Sequence, residues 1–370
     1  MFSSLYVHIP FCIRKCRYCD FYSVKADDAL MSAYCEALKK EIVSRKAGAQ
    51  TLKTVYIGGG TPSLLPEGAI KRLSDHISGF FDFAPDAEIT IEANPGAIDD
   101  KILQNLLNSG VNRISLGIQS LVDAELSALG RVHNSEDAVS AVISARRAGF
   151  RNISLDLIYG IPGQSLDAWR RTLLKAIDLS PEHISAYELT PEKNTPLYED
   201  IQDGTVGMPD ESLAADMFML ADEVLEARGF RHYEISNYAR PGRECRHNLN
   251  YWDRGEYLGI GAAAHSFIDG VRYDNMPDVE GYITALAKDG LPTGGSLKLG
   301  EEDIMKEIIF LGLRKVEGID LNVLKAPSMA VAADELILNG LLERRGSNIG
   351  LTRRGMLLSN EVILKLFEAL

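Results

Sequence analysis

The sequence predicts an α/β fold built on parallel strands, and three observations predict it. Six short runs rich in β-branched and aliphatic residues alternate with amphipathic helical runs over the first 188 residues. The helical runs carry start and stop signals: Ser135 precedes residues 136–148 as an N-cap, and Gly110 and Gly149 follow helix ends. Glycine and polar residues gather just after the strand-like runs, where parallel α/β folds bind their ligands.

In chain order the strand-like runs are residues 5–9, 54–57, 89–92, 113–117, 153–158 and 183–188. Helical periodicity marks 31–45, 67–80, 100–108, 136–148 and 166–179. Within 136–148, Ala138, Val142 and Ala145 recur at helical spacing, so that face is expected to lie on a sheet. Repeated βα units favour parallel strands joined by right-handed crossovers, in an open doubly wound sheet or in a barrel or partial barrel. Either arrangement brings the segments after the strands to one rim. Cys12, Cys16 and Cys19 follow the first strand, Gly58-Gly59-Gly60-Thr61 the second, Glu92-Ala93-Asn94-Pro95 the third and Gln119-Ser120 the fourth. Asp156 lies inside the fifth.

Beyond residue 190 the pattern loosens. Residues 190–209 are rich in Pro, Gly and acidic side chains and are predicted as an extended surface connection, followed by a helix over 211–228 and an aromatic, polar stretch over 233–252. A composition change at 294–300 marks a boundary. The tail is predicted as helices over 302–313 and 330–339, a hairpin over 341–351 turning at 346–348, and a helix over 354–367, an order that resembles a winged helix. The expected organisation is a main domain over 1–230, a connecting segment over 231–295 and a small C-terminal α+β domain over 296–370.

Composition narrows the function classes. The chain has 370 residues, 46% hydrophobic and 25% charged, as in ordinary globular proteins, and its formal net charge is −13. That balance disfavours nucleic acid as a partner, and the basic cluster Arg344, Arg345, Arg353 and Arg354 is read as a solvated surface. No apolar run approaches the roughly 18 to 20 residues that span a bilayer.

Three of the five cysteines, Cys12, Cys16 and Cys19, fall within eight residues, and Phe21 stands where a fourth would come. Three thiolates hold a metal cluster while leaving one metal position without a protein ligand. A structural zinc site wants four ligands, and Cys35 and Cys245 are too isolated to form a second knuckle, although Cys35 folding back keeps that alternative open. An odd cysteine count with no secretory segment before the motif favours a reducing, cytoplasmic setting over disulfides. Taken singly, Gly58–Gly60 make an ordinary turn, and Glu92, Gln119, Arg131 and Asp156 make ordinary ion-pair or hydrogen-bonding residues. Their convergence on the rim that holds the cysteines makes them site candidates.

The run YVHIPFCIRKCRYCDFYS resembles the cluster loop of radical S-adenosylmethionine (SAM) proteins, with its Cys-x3-Cys-x2-Cys signature. GGGTPS, EANP, SLGIQS, LGRVH and LDLIYGIPGQ resemble more narrowly the branch that contains oxygen-independent coproporphyrinogen III dehydrogenase and a haem-chaperone relative. The resemblance covers nearly the whole chain. It implies a partial (βα)6 TIM-type barrel with a smaller C-terminal domain, and a [4Fe-4S] cluster on Cys12, Cys16 and Cys19 with SAM chelating the fourth iron. Tyr6, Gly59, Gly60, Thr61, Glu92, Gln119, Arg131 and Asp156 match SAM-contacting positions of that branch, with Tyr18 a further contact from the cluster loop. Arg131 suits the methionine carboxylate, Glu92 the ammonium, and Gln119 and Asp156 the ribose hydroxyls.

Two departures separate the chain from the dehydrogenase. Phe21 replaces a further cysteine, and Tyr6 lies so near the start that the long N-terminal cover of that enzyme is expected to be absent. The segment Arg246–Trp252 matches the HNxxYW signature of the haem-chaperone type, which makes His247 a candidate haem ligand, Cys245 an accessory attachment point and His265 a weaker candidate. The expectation is a haem chaperone that uses its cluster and SAM in passing haem to an acceptor protein, with an electron donor for the cluster as a further partner. The alternatives are the dehydrogenase, which decarboxylates two propionates oxidatively, and a radical SAM enzyme acting on another tetrapyrrole or on haem itself.

Overall fold

A computed structural model describes residues 2–45, 50–324 and 326–370. Six parallel strands run side by side in chain order: β1 (Ser4–Ile9), β2 (Thr51–Gly59), β3 (Asp82–Ala93), β4 (Arg113–Gln119), β5 (Ile153–Tyr159) and β6 (His183–Glu188). β7 (Arg231–Glu234) and β8 (Asn237–Ala239) extend the sheet antiparallel beyond β6, and β9 (Leu258–Ile260) adds a parallel strand beyond β1. Among the described residues the two edges, β9 and β7, do not pair, so the sheet is a partial barrel. Residues 231–260, expected as a connector, thus supply strands to both edges.

Parallel strands covered on both faces usually read as continuous apolar runs, but these alternate. In β4, Ile114, Leu116 and Ile118 join the apolar core, while Arg113, Ser115, Gly117 and Gln119 take the other face. Hydrogen bonds across the strands show that the second face is a shared polar interior: Tyr56 reaches Glu92, Ser115 and Ser185 reach Asp156, and Tyr187 reaches Gln119. The outer face is covered by α1 (Asp28–Ser44), α2 (Ala69–Ser78), α3 (Asp100–Asn108), α4 (Ser135–Ala148), α5 (Leu166–Asp178) and α6 (Glu211–Ala227). The apolar face expected on α4 is buried at Ala138, Ala141, Val142 and Ala145. Its cap is Asn134 and not Ser135. The Asn134 and Asp137 side chains each accept from the other residue's backbone N–H, a capping box that draws Ser135 into the first turn.

Further boundaries differ from expectation for local reasons. Within 190–209, Thr195 caps a helix over Pro196–Gln202 and so converts part of the expected extended connection. The glycine-rich run expected as a boundary forms strand Thr293–Lys298, paired to Val271–Asn275 with a register shift. The last predicted helix is two, Arg353–Leu357 and Ser359–Glu368, broken at Leu358. The C-terminal part packs Glu301–Gly312, Pro327–Leu338 and Ser359–Glu368 on a sheet of Ile319–Asp320, Asn348–Leu351 and Leu342–Arg345, the winged-helix-like order expected. Three arginines of its basic cluster are paired: Arg344 with Asp334, Arg345 with Glu343, and Arg353 with Asp222 and Glu226 of α6. All five cysteines are free, and no helix among the described residues is long and apolar enough to cross a membrane.

Candidate functional site

The carboxyl ends of β1–β6 surround a cavity of about 430 Å³. Cys12, Cys16, Cys19 and Tyr18 line it from the loop after β1, Gly59, Gly60 and Thr61 from the end of β2, and Glu92, Gln119, Arg131 and Asp156 from the rest of the rim. The loop is held from both sides. Phe11–Cys12 pairs with Val24–Lys25, the Arg17 N–H donates to the Leu129 carbonyl at 3.1 Å, and Arg14 donates to the carbonyls of Gly130 and Arg131.

The glycine run lets β2 end against that loop. Gly59 has φ +114°, and its N–H donates to Glu92 Oε2 at 2.9 Å. A Cβ on Gly60 would stand 2.6 Å from the Phe11 carbonyl oxygen, so a side chain there would displace the loop. Gln119 is held at φ +62°, an uncommon conformation for a residue with a side chain, and Tyr187 donates to its Oε1 at 2.9 Å.

Two carboxylates face this space short of positive charge. Glu92 is half-buried and accepts from the Tyr56 hydroxyl at 2.8 Å as well as from Gly59. Asp156 accepts from Ser185 at 2.8 Å and Ser115 at 3.1 Å. Burial pushes both above the ordinary carboxylate range, since a desolvated charge is disfavoured until a cation or donors compensate it. Arg131 supplies the opposite sign. Its Nη2 donates to the Gly117 carbonyl at 2.8 Å and its Nη1 to Cys16 Sγ at 3.2 Å, while its buried Nε has no partner among the described residues. Dipolar ligands with an ammonium and a carboxylate match that pattern.

The donor set fits an iron–sulfur cluster. Three thiols edge one cavity, Thr61 Oγ1 lies 3.9 Å from Cys12 Sγ, and burial raises the Cys12 thiol and pushes Cys19 up to about 11. A soft metal displaces such protons on binding. Among the described residues no three side chains of His, Cys, Asp or Glu type are grouped closely enough to hold a single metal ion.

Of the expected SAM contacts, Tyr6 alone lies off this cavity. It sits one layer deeper, its hydroxyl 2.9 Å from His8 Nδ1 and its ring stacked 6.2 Å from Tyr56. Sequence reasoning missed Ser115 and Tyr187, which orient Asp156 and Gln119 from inside the barrel. The polar alternation of β4 and β6 is the signal that would have found them.

The opposite end of the barrel is closed by a short helix, α7 (Arg246–Trp252). Glu88 of β3 accepts from the backbone N–H groups of Arg246 and His247 at 3.2 and 3.1 Å, capping the helix from outside. His247 is 1% exposed, with Nδ1 2.8 Å from Thr54 Oγ1 and Nε2 2.8 Å from the Tyr251 hydroxyl. Its ring stacks on Tyr56 at 5.2 Å. Burial lowers its pKa to about 3, and the nearby Arg113 guanidinium adds to the shift. An open axial ligand needs a free, accessible nitrogen, so the expectation for His247 does not fit this conformation. Cys245 is likewise unavailable, being fully buried with its Sγ against Glu88. His265 is exposed at the start of strand His265–Ile268.

Residues 6–176 match the model of the Radical SAM superfamily, and residues 299–358 match that of the HemN C-terminal domain. Heme chaperone HemW of Bacillus subtilis (strain 168) is 38% identical over 370 residues, 97% of each chain. Heme chaperone HemW of Escherichia coli (strain K12) is 43% identical over 278 residues, 72% of this chain and 71% of that one. The solved structure of coproporphyrinogen III oxidase (HemN) from Escherichia coli, a radical SAM enzyme, superimposes with a TM-score of 0.86 at 25% identity, covering 99% of this chain and 90% of that one. With similarity of this extent along its whole length, the chain belongs to the radical SAM superfamily and, within it, to the heme chaperone HemW family.

Proposed function

We propose that the protein is a haem chaperone that holds a [4Fe-4S] cluster on Cys12, Cys16 and Cys19, binds SAM in the rim cavity and passes haem to an acceptor protein. The observation that carries the reading is the convergence of those thiols with Glu92, Gln119, Arg131 and Asp156 on one cavity, in a chain that matches haem chaperones along its length. Bound there, the cluster supplies one-electron chemistry beside SAM. The chain's own part is to bind and orient. Glu92, already above the ordinary carboxylate range through burial, gains a cation in the SAM ammonium, and the free Arg131 Nε–H suits the carboxylate. Asp156 and Gln119, fixed by Ser115, Ser185 and Tyr187, present acceptors to the ribose hydroxyls.

Phe21, 66% exposed where the dehydrogenase carries a cysteine, supports a carrier over a porphyrinogen oxidase. The test is anaerobic reconstitution followed by titration with haem, and separately incubation with coproporphyrinogen III, SAM and reductant. Stoichiometric haem binding with no protoporphyrinogen formed is the expected result. Sustained turnover of coproporphyrinogen would sink the chaperone reading. His247→Ala and His265→Ala are compared in the haem titration, since only His265 faces solvent in the closed structure. Haem ligation by His247 would require α7 to leave the barrel floor.

A further inference from the structure

One buried side chain beside the rim has no part in the chemistry described so far. His133 ends the run LGRVH two residues after Arg131, is 4% exposed and is not among the residues that line the cavity. Its ring bridges two rim segments: Nε2 lies 3.2 Å from the Ile118 carbonyl oxygen, and Nδ1 lies 3.1 Å from Asn94 Oδ1. Burial and the Arg131 guanidinium push its pKa down to about 4, against the opposing pull of the Ile118 carbonyl and of Asp137 on α4. Near neutral pH the ring therefore carries a single N–H and can donate to only one of its two acceptors.

The Ile118 side is the strained one. The Ser120 N–H donates to the Ile118 carbonyl at 2.7 Å around Gln119, whose φ is +62°. That is a γ-turn of the rare sign, which a residue with a side chain keeps only where its surroundings impose it. β4 and β5 fall out of step there, Leu116 facing Leu155 and Gln119 facing Leu157, so β4 accommodates one extra residue before Gln119. The turn sets where the Gln119 amide stands. A Cβ on Gly117 would lie 3.0 Å from Gln119 Nε2 and 3.5 Å from Arg131 Nη2, so the two ligand-facing groups meet over that glycine. Asn94, by contrast, has ordinary extended backbone, and its Oδ1 already accepts from the Gly96 N–H at 3.1 Å. The single imidazole proton stabilises more on the Ile118 side.

From this geometry we infer that His133 is a positioning residue for the SAM ribose, its Nε2–H holding the Ile118 carbonyl and so keeping the turn that presents Gln119. The role rests on the SAM reading above. His133 touches no ligand itself. It acts from behind the strand, while Tyr187 fixes the Gln119 amide oxygen from inside the barrel and Ser120 is tied to Glu125.

SAM binding is measured by anaerobic calorimetry on the reconstituted protein. His133→Ala should weaken it about tenfold. A glutamine brings an amide N–H to where Nε2 stands, and an asparagine to where Nδ1 stands. His133→Gln should therefore return to within about twofold of wild type, while His133→Asn stays near the alanine level. In a Gln119→Ala background, His133→Ala should add less than about twofold, because its effect passes through the glutamine. Rescue by asparagine and not by glutamine would overturn the assignment, as would an undiminished alanine penalty in the Gln119→Ala background. The tautomer is read separately from the nitrogen NMR shifts of histidine-labelled, cluster-free wild-type protein, in which Nε2 should carry the proton. A proton on Nδ1 would overturn the clamp whether or not SAM binds. If wild-type protein shows the Nε2–H tautomer yet binds no SAM, the SAM reading fails while the clamp on Gln119 stands.

Discussion

The two ends of the barrel are built from the same strands yet are opposite in character. At the carboxyl end, Glu92, Asp156, Gln119 and Arg131 surround an open cavity, with an unpaired donor on Arg131 and a strained backbone at Gln119. At the amino end, Glu88, Thr54 and His183 are closed over by Arg246–Trp252 and by Tyr233, with His183 Nε2 2.8 Å from the Tyr233 hydroxyl. The rim leaves Arg131 Nε without a partner beside an open cavity, while at the floor Thr54, His183 and His247 are paired and, among the described residues, Arg113 Nε and Trp252 Nε1 stay buried and unpartnered. Tyr56 joins the two, its ring on His247 below and its hydroxyl on Glu92 above.

The comparison breaks most sharply at the cysteines. Cys16→Ala should abolish the iron–sulfur absorption while leaving the melting temperature of the cluster-free protein almost unchanged. Absorption that survives unchanged would remove Cys16 from the ligand set. At the floor the signs reverse. Glu88→Ala removes the acceptor for two N–H groups and a carboxylate that interacts with the buried Arg113, so it should cost about 3 kcal/mol in denaturant unfolding. A variant as stable as wild type would show that α7 is held by something else.

Acid sharpens the same contrast. His247 is held neutral, with a folded pKa of about 3 against an ordinary value of 6.5. Above 6.5 both states are neutral and the group contributes no pH dependence. Below 6.5 the unfolded chain takes up a proton that the folded one refuses, so stability falls as pH drops towards about 3, by up to ~1.4 kcal/mol per pH unit. His247→Gln should flatten that slope by about one proton between pH 6 and 4 in urea titrations. An unaltered slope would mean that His247 is not the buried neutral group described. The smallest effect is expected at the junction. Tyr56→Phe deletes one hydrogen bond to Glu92 and should weaken SAM binding a few-fold, about 1 kcal/mol, with little loss of stability. Equal SAM affinity would uncouple floor from rim.

Much of the site was legible in the sequence because its elements are local. Cysteine spacing, the glycine run and the polar residues at strand ends each lie within a few positions of one another, and the order of βα units brings them to one rim. The strands are legible for the same reason, though short by up to eight residues where polar ends interrupt the apolar run, as at Asp82–Ala93. Ser135 reads as a cap because Asn134 and Ser135 are both capping residue types, and only the reciprocal bond to Asp137 distinguishes them.

His247 marks the limit. A histidine between polar and aromatic residues reads as a ligand candidate, and nothing within Arg246–Trp252 states that Thr54, Tyr56 and Glu88, about 160 to 190 residues away in sequence, enclose it in this conformation. The sequence by itself determined the cluster loop, the rim and the βα order, all fixed by short-range spacing and by the handedness of the crossovers. Tertiary structure alone decided that the strands enclose a polar interior, that Tyr6 lies beneath the cavity and that the histidine helix seals the floor. Those outcomes depend on which buried polar groups find one another across the barrel, a pairing that desolvation enforces and that no local pattern records.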